Sequence, residues 1–279
     1  MSTFRTRLKE SSKTTATLLV LILFAGCSHQ RGVGLRTTHP VKPSNIQSLM
    51  SSLEMAPDWP EVYENALEDA RNPEPEEVAT DLTAISTDNP ELKWQTIAGR
   101  PHVKVVSLVS TDKYYRDSLG KNYNTGSHNI WVTAVPEAAE FVSTYRSQND
   151  DLDDLEHRLR QLLGLTPTAQ ITHFVEFWVD PKDLFRPAAD NEVSDRTAGL
   201  NLPGDTEDWY RKWFNELRAS QYFQSSIPSH NAYPWTQLGY TYDWGKPGAE
   251  QGLSEFVIRT DADVVVASIT KIGEYGKHP

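Results

Sequence analysis

The chain contains a single cysteine among its 279 residues, so no disulfide forms within one molecule. A fold of this size must therefore be held together by its apolar core. The eight histidines are scattered and none forms an HExxH pattern, so the sequence predicts no zinc or other metal site, and no cofactor. The Walker phosphate loop, the Rossmann glycine fingerprint and the Gly-x-Ser-x-Gly elbow of serine hydrolases are also missing.

Basic residues are the second shortage. Lys and Arg number 27 against 38 Asp and Glu, which gives a formal net charge of −11. Residues 1–26 hold four of the basic residues and one of the acidic ones, so the rest of the chain carries a net charge of −14. An acidic surface argues against nucleic acid and against anionic lipid headgroups as partners.

Only one long apolar run is present, Ala16 to Gly26. It is shorter than the roughly 20 residues that a membrane-spanning helix needs, and Cys27 and polar residues follow it at once. A cluster of basic residues precedes it. An apolar core behind a cationic start is the pattern of a secretory signal peptide, so we expect export and removal of this segment. The basic residues are Arg5, Arg7, Lys9 and Lys13.

The end of this segment, Ala25-Gly26-Cys27, resembles the bacterial lipoprotein signal, in which a small residue precedes an obligatory cysteine. Phe24 stands where that family usually has Leu or another aliphatic residue. The resemblance covers residues 1–27 and implies that the Cys27 thiol receives diacylglycerol, that residues 1–26 are removed, and that the new amino group is acylated. Two or three acyl chains hold a protein stably at a membrane. The alternative is a simple secretory signal with an incidental cysteine.

The residue after the cysteine bears on localisation. In Gram-negative lipoproteins an Asp at this position favours retention at the inner membrane, whereas this chain has Ser28. The resemblance therefore implies a cell-envelope protein at the periplasmic leaflet of the outer membrane, attached through the lipid on Cys27. Residues 27–56 are interrupted by Gly, Pro and Ser, and we interpret them as a flexible tether. The alternative is that Ile46 to Met55 forms a short helix packed on the domain.

The remaining residues, 57–279, predict a single α+β domain with a mixed sheet of about five strands flanked by helices. Asp58 is placed to cap a first helix that ends at Asn72-Pro73, and Val78, Leu82 and Ile85 suggest a second helix in the same hairpin. A leucine stripe predicts a further helix, and another is expected from Thr206. The helix with the leucine stripe is predicted at Asp151 to Leu163. The predicted strands are Val103 to Val109, Ile130 to Val135, Ile171 to Val179, Gly252 to Arg259 and Asp263 to Ile269.

Three carboxylates are candidate catalytic groups. Glu176 lies in a strand that is apolar on both faces, where it is either a carboxylate of raised pKa in a cleft or the partner of an Arg or a backbone amide. Asp243 lies among aromatic residues. Glu255 begins a strand after a glycine-containing loop, which is similar to the last motif of ADP-ribosyltransferases, where such a Glu orients the nicotinamide ribose. In that resemblance His102 is the best counterpart of the family's first-strand Arg or His, and the second-strand motif is not clearly present.

The densest aromatic segment lies between residues 233 and 244 and follows no helical period. Rings beside an Asp are suited to stacking on a sugar or a base while accepting its hydrogen bonds. The same composition fits a segment that folds over the sheet and closes the core. The candidate ligand-binding residues are Tyr233, Trp235, Tyr240, Tyr242 and Trp244.

Two classes of function follow from these features. The first is a lipid-anchored envelope protein whose domain binds a glycan, a small molecule or another partner through the aromatic segment. The second is an envelope enzyme, a hydrolase or an ADP-ribosyltransferase-like protein, that uses Glu255, Glu176 and Asp243 on a glycan or nucleotide-like substrate. The enzyme requires at least two of these carboxylates in one pocket, whereas the binding protein requires exposed rings. Carboxylates that are separately buried and ion-paired would remove the basis for the enzyme.

Overall fold

The computed structural model describes residues 58–149, 151–223 and 232–277, and this part of the chain is an α+β fold. No helix within these ranges is long and apolar enough to cross a membrane. These described residues form four α-helices: α1 (Trp59–Asp69), α2 (Val135–Gln148), α3 (Leu152–Leu162) and α4 (Asp208–Tyr222). The strands are β1 (Trp94–Ile97), β2 (Arg100–Val109), β3 (Asn122–Asn124), β4 (Ile130–Ala134), β5 (His173–Val179), β6 (Leu184–Phe185), β7 (Tyr240–Tyr242), β8 (Gln251–Ser254), β9 (Phe256–Ile258) and β10 (Asp263–Lys271).

Eight of the strands form one sheet with the order β3-β10-β5-β2-β4-β9-β6, and β1 pairs with β2 beside this path. The pairings between these strands are antiparallel, and β7 and β8 form a separate antiparallel pair. The α+β class is confirmed, but the expected mixed sheet of about five strands is wrong. Edge strands of two to four residues, such as β6 and β3, are too short to show the alternation that identifies a strand, and strand direction is set by connections that a local pattern does not encode.

Strand β5 lies in the middle of the sheet between β10 and β2, as its two apolar faces predicted. Val175 and Phe177 enter a core cluster on one face of the sheet, and Phe174 enters a second cluster on the other face. Burying one such side chain contributes about 1.5–3 kcal/mol. Both faces of the sheet must therefore be covered.

Helices cover the face that carries Phe174. The second cluster includes Val142 of α2 together with Leu155 and Leu159 of α3. Asp151 caps α3 by accepting hydrogen bonds from the backbone amides of Asp153 and Asp154, and Gly164, at φ +62°, follows the end of the helix. The helix predicted from the leucine stripe is confirmed here, and so are the predicted helix and cap at α1, where Asp58 accepts from the Glu61 amide.

The predicted helix through Val78, Leu82 and Ile85 is wrong. Only a short 3-10 turn forms, at Pro75–Glu77. Beyond it, the Leu82 amide donates to the Arg196 carbonyl at 3.0 Å and the Ile85 amide to the Val193 carbonyl at 2.7 Å. The apolar spacing fits a helix, but these distant backbone partners hold the segment extended, so tertiary contacts override the local pattern.

Helix α2 was not predicted from the sequence. Its N-cap is Ala134, which makes no side-chain capping bond, and the helix begins directly at the end of β4. Pro136 occupies the first turn, where its missing N–H costs nothing. The start signal is therefore weak, and the strand pattern of β4 runs straight into the helix.

Gly239 occupies a position at which a side chain is strained by the backbone and also meets the Arg186 side chain. Its φ is +80°, and a Cβ atom there would lie 2.5 Å from Cδ of Arg186, whose side chain is fully buried. Gly248 has the same φ of +80°, but nothing lies within 4 Å of the corresponding Cβ position. The two glycines thus share the backbone requirement and differ in the space around them.

We predict that Gly248→Ala lowers the free energy of unfolding by about 1–2 kcal/mol, the cost of a left-handed residue with a side chain. Gly239→Ala should lower it by roughly 1–3 kcal/mol more, because the new methyl group also displaces Arg186. Urea denaturation followed by circular dichroism measures both values. Equal losses in the two variants would contradict the close approach of Arg186.

Candidate binding site

A cavity of about 400 Å³ lies against the sheet face that carries the helices. Its walls come from β2, β4 and β5, from α2 to α4, and from the segment that leads into β7 and β8. Most of the lining is apolar or aromatic. Representative lining residues are Val106, Trp131, Ala138, Leu162, Leu217 and Leu253.

Among the described residues that line this cavity, Glu255 is the one that carries a carboxyl group. It lies between β8 and β9, and its backbone amide donates to the Gly239 carbonyl at 2.9 Å. The side chain is half-buried and lines the cavity. Within the described residues, no cation and no hydrogen-bond donor contacts its carboxyl oxygens. Burial therefore raises the pKa of Glu255 from its ordinary value of 4.5 to about 8, since nothing offsets the loss of water around the charged form.

The backbone on both sides of Glu255 is fixed by a buried polar cluster. The Ser254 hydroxyl donates to Oε1 of Glu137 at 2.9 Å and accepts from the Thr83 amide at 2.8 Å. The Arg186 guanidinium lies 5.2 Å from the ring centre of Phe256 and donates to three backbone carbonyls. Because the residues before and after it are held in this way, the backbone of Glu255 has a defined position at the cavity wall.

Glu176 does not share this cavity. Its Oε2 lies 2.8 Å from Nζ of Lys104 on the neighbouring strand β2, and its Oε1 accepts a hydrogen bond from the Tyr275 hydroxyl at 3.3 Å. The carboxylate is thus an ion-paired structural group. Of the two alternatives from the sequence, the structure shows the paired carboxylate, although the partner is Lys104 rather than an Arg.

Asp243 is fully buried and lies outside the cavity lining among the described residues. Arg158 of α3 binds it in a bidentate manner, with Nη1–Oδ1 and Nη2–Oδ2 distances of 2.7 and 2.5 Å. The Gly245 amide also donates to Oδ1, at 3.2 Å. A carboxylate with these partners is satisfied internally and has no free position for a substrate.

His102 lies on β2, is buried, and its Nδ1 contacts the Arg100 carbonyl at 3.0 Å. It is not among the described residues that line the cavity with Glu255. Glu255, Glu176, Asp243 and His102 therefore occupy separate environments, and the structure does not bring two of these candidate catalytic groups into the cavity.

The aromatic segment is mostly internal. Only Tyr233 is exposed, at 45%, whereas Trp235, Tyr240, Tyr242 and Trp244 are buried. Their polar atoms donate inward: Trp235 to the Pro187 carbonyl, Tyr240 to Glu77, Tyr242 to Asp69 and Trp244 to Leu165. An exposed stacking surface is therefore wrong for these four rings, because the segment closes the core. Three of the five residues, Tyr233, Trp235 and Tyr242, line the cavity from within the fold.

Several lining residues were not identified as functional from the sequence. Trp131 and Thr133 reach the cavity from β4, and Leu217 and Gln221 reach it from α4. The spacing of Leu217 and Gln221 places them one helical turn apart on the same face, which is the one signal that links them. Nothing in the sequence indicates that this face meets β4.

Cys27 and the residues around it lie outside the described residues. No protein-family model matches the chain, no curated protein matches it, and no solved structure resembles it significantly.

The raised pKa of Glu255 predicts a stability that depends on pH. Between its unfolded value of 4.5 and its folded value of about 8, the folded state binds more protons than the unfolded state, so the free energy of unfolding falls as the pH rises through this window. Glu255→Gln has no charge to bury and escapes this loss. We predict that the variant exceeds the wild type by roughly 1–3 kcal/mol at pH 8.5 and by much less at pH 5.

Chemical denaturation across this pH range measures the difference. Glu274→Gln is the matched control, because Glu274 is exposed and outside the cavity lining. A constant difference between Glu255→Gln and the wild type from pH 5 to pH 8.5 would show that the carboxyl is not desolvated.

Proposed function

We propose that this protein is a lipid-anchored protein of the cell envelope whose folded domain binds a small, largely apolar molecule in the cavity at Glu255. The observation that carries the proposal is the cavity itself, which combines an apolar lining with one carboxyl that has no partner in the described part of the chain. Pockets of this kind, apolar with a few polar groups and a perturbed pKa, are the usual form of small-molecule sites.

The size of the cavity supports this proposal. Its volume of about 400 Å³ falls within the roughly 300–1,000 Å³ of small-molecule pockets. The apolar walls favour a ligand that loses hydration on entry, and each buried CH2 group contributes about 0.8 kcal/mol. Glu255 then orients the ligand through its one polar group.

The same lining argues against a glycan or a nucleotide as the ligand. Such molecules carry many hydroxyl or phosphate groups, and each one that is buried without a hydrogen bond costs about 1–3 kcal/mol. The cavity offers few polar side chains beyond Glu255, among them Ser107, Thr133 and Gln221. The enzymatic alternative has no supporting geometry either, because Glu176 and Asp243 are ion-paired elsewhere.

The membrane attachment rests on the resemblance of residues 1–27 to lipoprotein signals. In this proposal the lipid on Cys27 is the membrane partner, residues 27–56 act as the tether, and the domain faces the periplasm from the outer membrane. The acidic net charge is consistent with attachment through acyl chains rather than through anionic headgroups, and with the absence of a nucleic-acid partner.

We predict that the neutral dye N-phenyl-1-naphthylamine binds the domain with increased fluorescence, and that Ala138→Leu weakens this binding at least tenfold. Ala138 is buried on α2 and lines the cavity, so the larger side chain occupies ligand space. Ala219→Leu on α4 is the control, because Ala219 is exposed and outside the lining. Fluorescence titration measures both affinities, and circular dichroism verifies folding. Unchanged affinity in a folded Ala138→Leu variant would place the dye elsewhere.

We predict that Cys27→Ala abolishes acylation and leaves the protein unprocessed or outside the membrane fraction. Mass spectrometry of the mature N-terminus and membrane fractionation in a Gram-negative host measure the outcome. Ser28→Asp is the companion variant, since it should retain the acylated cysteine and move the protein to the inner membrane. A wild-type protein cleaved at another position and free of lipid would overturn the anchor while leaving the cavity proposal intact.

A further inference from the structure

We infer that the cavity at Glu255 takes a cationic amphiphile, a molecule with an apolar body and one protonated amine that pairs with the Glu255 carboxylate. This inference rests on the proposed function, because it assigns the chemical class of the ligand in the same cavity. The inference predicts that the cavity prefers an amine over two ligands of similar shape, a neutral alcohol and an anionic fatty acid.

The first argument is that two buried carboxylates elsewhere in the described structure have a cation from the protein, while a third, Glu137, accepts a hydrogen bond from the Ser254 hydroxyl. Glu176 has Lys104 at 2.8 Å, and Asp243 has the bidentate Arg158. The described lining of the cavity around Glu255 contains no Lys, Arg or His. An ionised carboxyl in an apolar site is costly without a partner of opposite charge. The missing cation is therefore the group that a ligand would supply.

The second argument is that Glu255 is held ready to accept a ligand. Its backbone amide is bonded to the Gly239 carbonyl, and its neighbour Ser254 is fixed by Thr83 and Glu137. Because this backbone is already ordered, binding does not cost the conformational entropy of ordering the segment, which favours affinity. Charge-assisted hydrogen bonds from an ammonium group to a carboxylate are about twice as strong as neutral ones.

The third argument concerns the aromatic part of the lining. Trp131, Trp235, Tyr233 and Tyr242 contribute to the walls of the same cavity as Glu255. The negative faces of such rings attract cations, and Trp is the strongest of them. The rings favour an ammonium group and its attached carbons, and they offer no comparable attraction to a carboxylate.

The charge of the chain acts in the same direction. Beyond residue 26 the net charge is −14, so the field of the protein attracts cations and repels anions. An anionic amphiphile would also bring a second carboxylate against Glu255, and two like charges at one site disfavour each other. Attraction at long range and pairing in the cavity therefore both select the amine.

The test compares decylamine, decanol and decanoate, which have alkyl chains of the same length, as competitors of bound N-phenyl-1-naphthylamine below their micelle concentrations. At about pH 8.5 most Glu255 is ionised, because burial raises its pKa to about 8, while an alkylamine remains protonated, with a pKa near the roughly 10.4 of lysine. We expect decylamine to bind roughly 10- to 100-fold more tightly than decanol, as a hydrogen bond to a charged group allows. Decanoate should bind weakest.

The Glu255→Gln variant should bind decylamine and decanol with similar affinity, whereas Glu274→Gln should keep the preference of the wild type. Equal displacement by the three ligands, or a preference for decanoate, would overturn the cationic ligand and leave the proposed function in place. If the dye does not bind, decylamine is titrated directly by calorimetry. Binding that is lost in Glu255→Gln would support the inference, and no binding of decylamine by calorimetry and by equilibrium dialysis would overturn it.

Discussion

The arrangement of this protein depends on a strand that is buried on both faces. Strand β5 carries Val175 and Phe177 into one core and Phe174 into the other, so neither side of the sheet is left to water. One face is covered by α2 and α3, and the other is covered largely by segments without helix, through side chains such as Ile85 and Val193. The cavity lies on the face that the helices cover.

Charge burial is the second constraint. Asp243 and Arg158 are removed from water together, and their bidentate contact joins α3 to the segment after β7. Arg186 is fully buried and donates to several backbone carbonyls, which anchors the segments around β6 and β9. Removing one member of such a group leaves an uncompensated charge, which costs about 3–5 kcal/mol. Glu255 differs from Asp243 in that no cation or hydrogen-bond donor among the described residues contacts its carboxyl, and this difference directs the functional proposals to it.

The proposed ligand cavity and the proposed lipid anchor are compatible with one physical situation. A protein held at a membrane surface meets apolar and amphipathic molecules at high local concentration, and a tether of residues 27–56 would leave its domain free to reach them. The domain would bind such a molecule through apolar burial and orient it through one carboxyl. Of the four buried rings of residues 235–244, Trp235 and Tyr242 contribute to this proposed function as walls rather than as an outer surface.

Local signals in the sequence determined much of the secondary structure. The cap at Asp58, the leucine stripe of α3 and the two apolar faces of β5 each predict an element that forms, because capping and side-chain periodicity act within a few residues. The resemblance of residues 1–27 to a lipoprotein signal is also a prediction from the sequence alone. The short edge strands, the extended path through Leu82 and the uncapped start of α2 were not predictable in this way.

Only the tertiary structure decided the roles of the candidate site residues. Three carboxylates in similar aromatic or apolar contexts had equal standing in the sequence, yet Lys104 pairs with Glu176, Arg158 pairs with Asp243, and Glu255 faces the cavity. These partners lie 72 and 85 positions away along the chain. The energy of a buried charge depends on what surrounds it in space, and a linear pattern carries no information about contacts between such distant segments.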